Sequence, residues 1–177
     1  MVFIVKLLVL ALTAAATPIL PRDATTVQND ITKKIGPQLT KLDKDVNGFP
    51  SSGLTGAAAI NNDVQELVTL VKGTISDIQN TGRFNTISGT TILSDIQLQV
   101  PTLLATLGAF ESQLPSWEAL QGGQALVLSN LQSLNTAFTD FLNAVIAAES
   151  LVLKPGALTV KAEVTGAFTS AIATYSL

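Results

Sequence analysis

With no histidine and no cysteine anywhere in its 177 residues, the chain leaves acid–base chemistry to its carboxylates. Two pairs lie close in sequence, Asp43 with Asp45 and Glu111 with Glu118. Facing carboxylates about 5 to 9.5 Å apart in a cleft are what glycoside hydrolysis requires. Asp43 and Asp45 instead alternate with apolar positions, as the solvated face of a helix does, and nothing in the pattern aims the four groups at one cleft. The missing residue types rule out disulfides, Cys/His zinc sites, cysteine nucleophiles and Ser-His-Asp triads together. Oxygen-ligand metal sites fare no better, because no calcium loop of the D-x-D-x-D-G kind occurs. Gly53-Leu54-Thr55-Gly56 has no phosphate-cradling spacing and reads as a loop or helix start. No catalytic residue, metal or cofactor is therefore expected.

What remains is apolar surface. Hydrophobic residues make up 47% of the chain and charged residues 13%, where an average soluble domain carries about 25% charged residues. The net charge is −3, and the basic residues are scattered apart from Lys33-Lys34, so no stripe exists to track a nucleic-acid backbone. Hydrophobic contact is the leading candidate for function. No N-glycosylation sequon occurs. Thr25-Thr26, Ser51-Ser52 and Thr90-Thr91 fall where O-linked sugar would be accessible.

The first segment reads as a secretory signal. Apolar Val2 to Val5 precede Lys6, then come Leu7 to Leu12 and the small-residue run ending Ala14-Ala15-Ala16, which suits cleavage after residue 16. The apolar stretch is too short to span a membrane, which takes about 20 residues. Arg22 in Pro21-Arg22-Asp23 is either the end of a short pro-segment over 17–22 or an ordinary exposed arginine. Residues 23–177 then form one domain, long enough for a substantial core.

Within that domain the apolar period is helical almost throughout. Val27, Ile31, Ile35, Leu39, Leu42 and Val46 form a first stripe, which Pro37 should kink or split near Ile35. Residues 48–53 are loop punctuation. Ile60, Val64, Leu67, Val68, Val71, Ile75 and Ile78 mark a second helix, ended by Thr81-Gly82. Ser88-Gly89 opens a third, running to Phe110 with a bend expected at Pro101. A fourth follows Leu114-Pro115-Ser116, with Ser116 as its N-cap or a later start near Gln124. The last runs from about Ala157 to Tyr175. Long helices and short Pro/Gly loops predict an all-α fold, an elongated up-and-down bundle of about five helices. A 25-residue helix is roughly 37 Å long. Its lengthwise aliphatic stripe reads either as a filled core or as an apolar cavity between helices.

The assembled segments resemble the fungal hydrophobic surface-binding protein family, which includes the cell-wall galactomannoproteins of moulds. The likeness is carried by RDATTVQNDITKKIGPQLTKLDKDVNGFP, AAINNDVQELVTLVKGTISDIQ, VPTLLATLGAFESQLPSW, LQSLNTAFTDFLNAVIAAES and the closing GALTVKAEVTGAFTSAIATYSL. It implies a small secreted or wall-associated helical bundle without enzymatic activity, able to adsorb to hydrophobic surfaces. Related domains enclose long-chain fatty acids between their helices. Taken with the aliphatic stripes, the resemblance points to a fatty acid or similar lipid held by Leu67, Val71, Ile75, Leu103, Leu107, Phe138, Phe141 and Leu142. An inward Thr, Ser, Asn or Gln would serve the head group. The rival expectation is a surface-active protein that coats hydrophobic surfaces or the wall, with cell-wall polysaccharide as a further partner and secreted hydrolases recruited to it. The ending Tyr175-Ser176-Leu177 has no apolar tail of the glycolipid-anchor kind, which favours free secretion. Without histidine, stability should be flat between pH 5 and 8 unless a carboxylate is buried, with Asp95 and Asp140 the candidates.

Overall fold

A computed structural model describes residues 24–176, so the expectations for the signal and pro-segment lie outside the described residues. Within them the chain is helical, in the order α1 (Ala24–Asp30), a π-helical turn (Ile31–Ile35), α2 (Gly36–Gly48), α3 (Gly53–Thr81), α4 (Thr86–Ser112), α5 (Leu114–Glu118), α6 (Gly123–Ala148) and α7 (Lys154–Tyr175). The segments α1, π turn and α2 run on without a break, which makes five long rods and the short α5.

The first rod is not split at Pro37. A proline inside an α-helix has no N–H to donate and its ring collides with the carbonyl four residues back. Here the preceding turn widens instead, and the Gly36 N–H bonds to the Ile31 carbonyl, five residues back. The same widening serves the apolar stripe. Val27, Ile31, Ile35 and Leu39 are spaced by fours, and in an α-helix of 3.6 residues per turn each such step overshoots by about 40°. A π turn takes up the drift, and all four side chains are 3% exposed or less. Pro101 is likewise absorbed within a continuous α4.

Helix ends follow local chemistry. Asn85 caps α4, its Oδ1 accepting from the Ser88 N–H at 2.9 Å, three residues ahead of the expected start at Ser88-Gly89. Ser116 lies inside α5 rather than at a cap. Pro155 sits in the first turn of α7, where its missing N–H costs nothing. Many helical threonines return their hydroxyls to the carbonyl four residues earlier, as Thr69 does to Gln65 and Thr169 to Thr165, both at 2.8 Å. The exposed surface is thus rich in hydroxyls with few charges.

Packing places the rods in a closed ring, α2 beside α3, α3 beside α6, α6 beside α7, α7 beside α4, and α4 back beside α2. Successive rods alternate in direction. The lower end gathers the α2–α3 turn, α5 and the end of α7: the Tyr175 hydroxyl donates to the Phe110 carbonyl at 2.6 Å. There too the Gln113 amide donates to the Val46 carbonyl at 2.8 Å, and Phe49 stacks on Trp117 with ring centroids 4.0 Å apart. At the upper end the Phe84 N–H donates to the Ala148 carbonyl at 2.9 Å, tying the α3–α4 loop to the end of α6. Only α2–α3 and α6–α7 are hairpins of chain neighbours. The other two connections cross an end of the bundle, so α4 packs between two rods that run parallel to it. One apolar core, fed by every rod, fills the ring.

Candidate functional site

Among the described residues the first rod, α4, α6 and α7 border a gap in the interior. A cavity of about 20 Å³ lies there, room for about one water molecule. Ile31 and Ile35 of the π turn and Leu39 of α2 form one wall, and Ile96, Gln99, Val100 and Leu103 of α4 a second. Phe138, Phe141 and Leu142 of α6 with Val164 of α7 close it. Gln99 is the one lining residue with a polar side chain. Its amide oxygen would stand 2.9 Å from a Cβ at position 36, so glycine there lets the side chain lie against the first rod.

Of the residues singled out from sequence, the fold brings Leu103, Phe138, Phe141 and Leu142 together at this cavity. Leu67 and Val71 are fully buried on α3, Leu107 is buried on α4, and Ile75 is half-buried against the core. None of these four lines the cavity. Sequence reasoning did not single out Ile31, Ile35 or Leu39, though the four-residue steps ahead of Pro37 marked that turn as unusual. Nor did it single out Gln99, whose signal was a polar residue one turn from both Ile96 and Leu103 in an otherwise aliphatic stripe.

The carboxylates are dispersed. Asp43 accepts from the Thr106 hydroxyl at 3.1 Å. Asp45 faces Asp63 across α2 and α3, and interaction with that carboxyl, aided by burial, raises the Asp45 pKa. Asp63 is 1% exposed; it accepts from Gln38 at 3.2 Å and pairs with Lys41, whose own pKa that hydrogen bond raises. Glu111 is half-buried and Glu118 exposed, both toward the lower end. Burial raises the Asp95 pKa, while Asp140 is exposed. The carboxylate that sequence reading overlooked is Glu149. It is 2% exposed, neither of its oxygens has a hydrogen-bond partner, and it is wedged against Gly89. Burial raises its pKa.

Among the described residues no helix is long and apolar enough to cross a membrane, and no group of three or more acidic side chains is placed to hold a metal ion.

Solved structures share this architecture. AFMP4P in complex with palmitic acid superposes with a TM-score of 0.82 at 23% identity, over 87% of this chain and 100% of that one. Ligand binding domain 1 of Penicillium marneffei MP1, complexed with arachidonic acids, gives 0.80 at 14% identity over 88% and 100%. Domain 2 of the same protein, complexed with multiple arachidonic acids, gives 0.78 at 11% identity over 86% and 96%. At such identities the likeness is one of fold. No curated protein sequence matches significantly. A family profile does, described as hydrophobic surface binding protein A, and it spans residues 24–147. With most of its length inside that match, the chain belongs to the hydrophobic surface binding protein A family.

Proposed function

We propose that this protein binds a long-chain fatty acid, or a lipid of similar shape, between α2, α4, α6 and α7, and performs no chemistry on it. The observation that carries the reading is a cavity walled by aliphatic and phenyl side chains from four rods, with Gln99 among its lining residues. Fatty-acid complexes of proteins with the same fold support it.

At about 20 Å³ the cavity is far below the roughly 300–1,000 Å³ of ordinary ligand pockets. An acyl chain must therefore take space that side chains now fill. We place the movement at the π turn, which supplies two lining residues on a backbone already departing from α geometry. Such turns recur at functional sites. Phe138, Phe141 and Leu142 rotate to follow the chain, and the Gln99 amide donates to the carboxylate. Each methylene taken from water contributes about 0.8 kcal/mol before ordering costs, so affinity should climb with chain length.

Extraction of the purified protein followed by mass spectrometry, then calorimetric titration of the delipidated protein with fatty acids of increasing length, tests this. Rising affinity with length is the expected result; no uptake at any length overturns it. Gln99→Leu should weaken a fatty acid roughly tenfold, as loss of a charged hydrogen bond does, and leave its methyl ester unaffected.

Adsorption to hydrophobic surfaces is the second reading, favoured by the large apolar side chains left exposed on the fold. Secretion and contact with cell-wall polysaccharide complete the proposal, on the sequence of residues 1–16 and the family resemblance respectively.

A further inference from the structure

Of the exposed large apolar side chains among the described residues, Leu54, Leu98 and Leu126 lie elsewhere and the other four share one end. Ile87 in the first turn of α4 is 82% exposed, and Leu151 and Val152 in the α6–α7 loop are 81% and 80% exposed. Leu158, in the first turns of α7, is 52% exposed. All four stand at the upper end. That end is held as one piece: the Phe84 N–H bonds to Ala148, and Gly89 of α4 packs against Glu149 and Leu153.

Charge is biased at the same place. The chain is acidic overall, with a net charge of −3. Yet residues 82–91 and 148–158 carry Arg83 and Lys154 against one carboxyl, Glu149, which is buried and whose pKa is raised. Arg83 is exposed and makes no ion pair with a described residue. Beside it a surface groove of about 300 Å³ runs between α3 and α6, lined by Ile78, Gln79, Gly82, Ala144, Ala147 and Ala148. A cation at the mouth of a small-residue apolar groove suits an amphiphile with an acidic head, which a bare hydrocarbon solid does not offer.

We infer that the upper end is a docking tip for a lipid surface bearing acidic head groups. Ile87, Leu151 and Val152 enter the acyl region, Arg83 and Lys154 meet the head groups, and the groove beside Arg83 takes the upper methylenes of one lipid. Apolar insertion with cationic flanks is the general design of interfacial anchoring. The tip acts independently of the cavity between the rods.

Co-sedimentation with vesicles of phosphatidylcholine, with and without phosphatidylserine, tests the inference on the full chain. The triple variant I87S/L151S/V152S should lower binding to both compositions at least tenfold, because each side chain withdrawn from lipid forfeits most of its transfer free energy. R83Q/K154Q should remove the preference for phosphatidylserine, about fivefold per cation, together with its sensitivity to salt. L54S/L98S, at side chains 73% and 69% exposed but away from the tip, should bind as the unaltered protein does. Circular dichroism of each variant establishes folding, and uptake of a dissolved fatty acid should be the same for all of them. Equal losses in L54S/L98S and the tip variant, or adsorption to polystyrene without vesicle binding, would overturn the inference. Failure of fatty-acid uptake with vesicle binding intact would instead overturn the cavity reading alone.

Discussion

Shortening Leu142 to alanine separates stability from ligand binding in a way only the proposed site predicts. Leu142 is 2% exposed and lines the cavity. Leu→Ala at a buried site costs about 3 kcal/mol, within a usual span of roughly 2–5. For a chain of this size each kcal/mol lowers the melting temperature by about 2–4 °C, so the delipidated variant should melt about 6–12 °C lower. The atoms removed border space that an acyl chain must otherwise clear, so the variant should bind a fatty acid at least as tightly. Ligand at 100 times its dissociation constant returns about 2.7 kcal/mol, nearly the whole loss. Differential scanning calorimetry with and without fatty acid would show a larger ligand-induced rise for Leu142→Ala than for the unaltered protein. Leu67→Ala is the control. It is as deeply buried but lies on α3, away from the cavity, so its stability should fall by a similar amount while its ligand-induced rise stays unchanged. A rise in Leu142→Ala no larger than that of the unaltered protein would refute the placement of the site.

Two further outcomes follow from buried polar groups. Tyr175→Phe removes the bond to the Phe110 carbonyl, which keeps the Gln113 N–H at 3.1 Å as a donor, so urea denaturation should show a loss of about 1 kcal/mol. The Glu149 pKa lies above its ordinary value of 4.5, so the folded state holds that proton more tightly than the unfolded chain. Its contribution to stability is complete below pH 4.5 and is lost as pH rises through the folded-state pKa. Asp95 and Asp45, also raised, act with the same sign from about 3.8 upward. Melting temperature should therefore decline as pH rises from 4.5, and Glu149→Gln should make that decline shallower; an identical slope in the variant would show that Glu149 titrates normally.

Much of the architecture was legible in the chain because helical burial imposes a three-to-four spacing that survives without any tertiary information. Val27 through Val46 and Ile60 through Ile78 mark two rods on that basis, and the Thr81-Gly82 stop marks an end by local stereochemistry. Composition alone likewise turned attention from catalysis to apolar contact. Spacing cannot say how a strained position is relieved. Pro37 predicted a kink or a split; the structure has a π turn within a continuous rod, with Gln99 of α4 laid against Gly36. Nor can a stripe say which rods face each other. Leu67 and Leu103 look equivalent in sequence, but the crossed connections put α3 beside α6 and α4 between α2 and α7. One of those leucines therefore reaches the cavity and the other is plain core. Glu149 was invisible for the same reason, since burying a carboxyl requires α4 to come close enough at Gly89 to exclude water. Periodicity is a property of one helix and its own turns; a cavity, a tip and a buried acid are properties of several helices meeting, and those were decided by the tertiary packing.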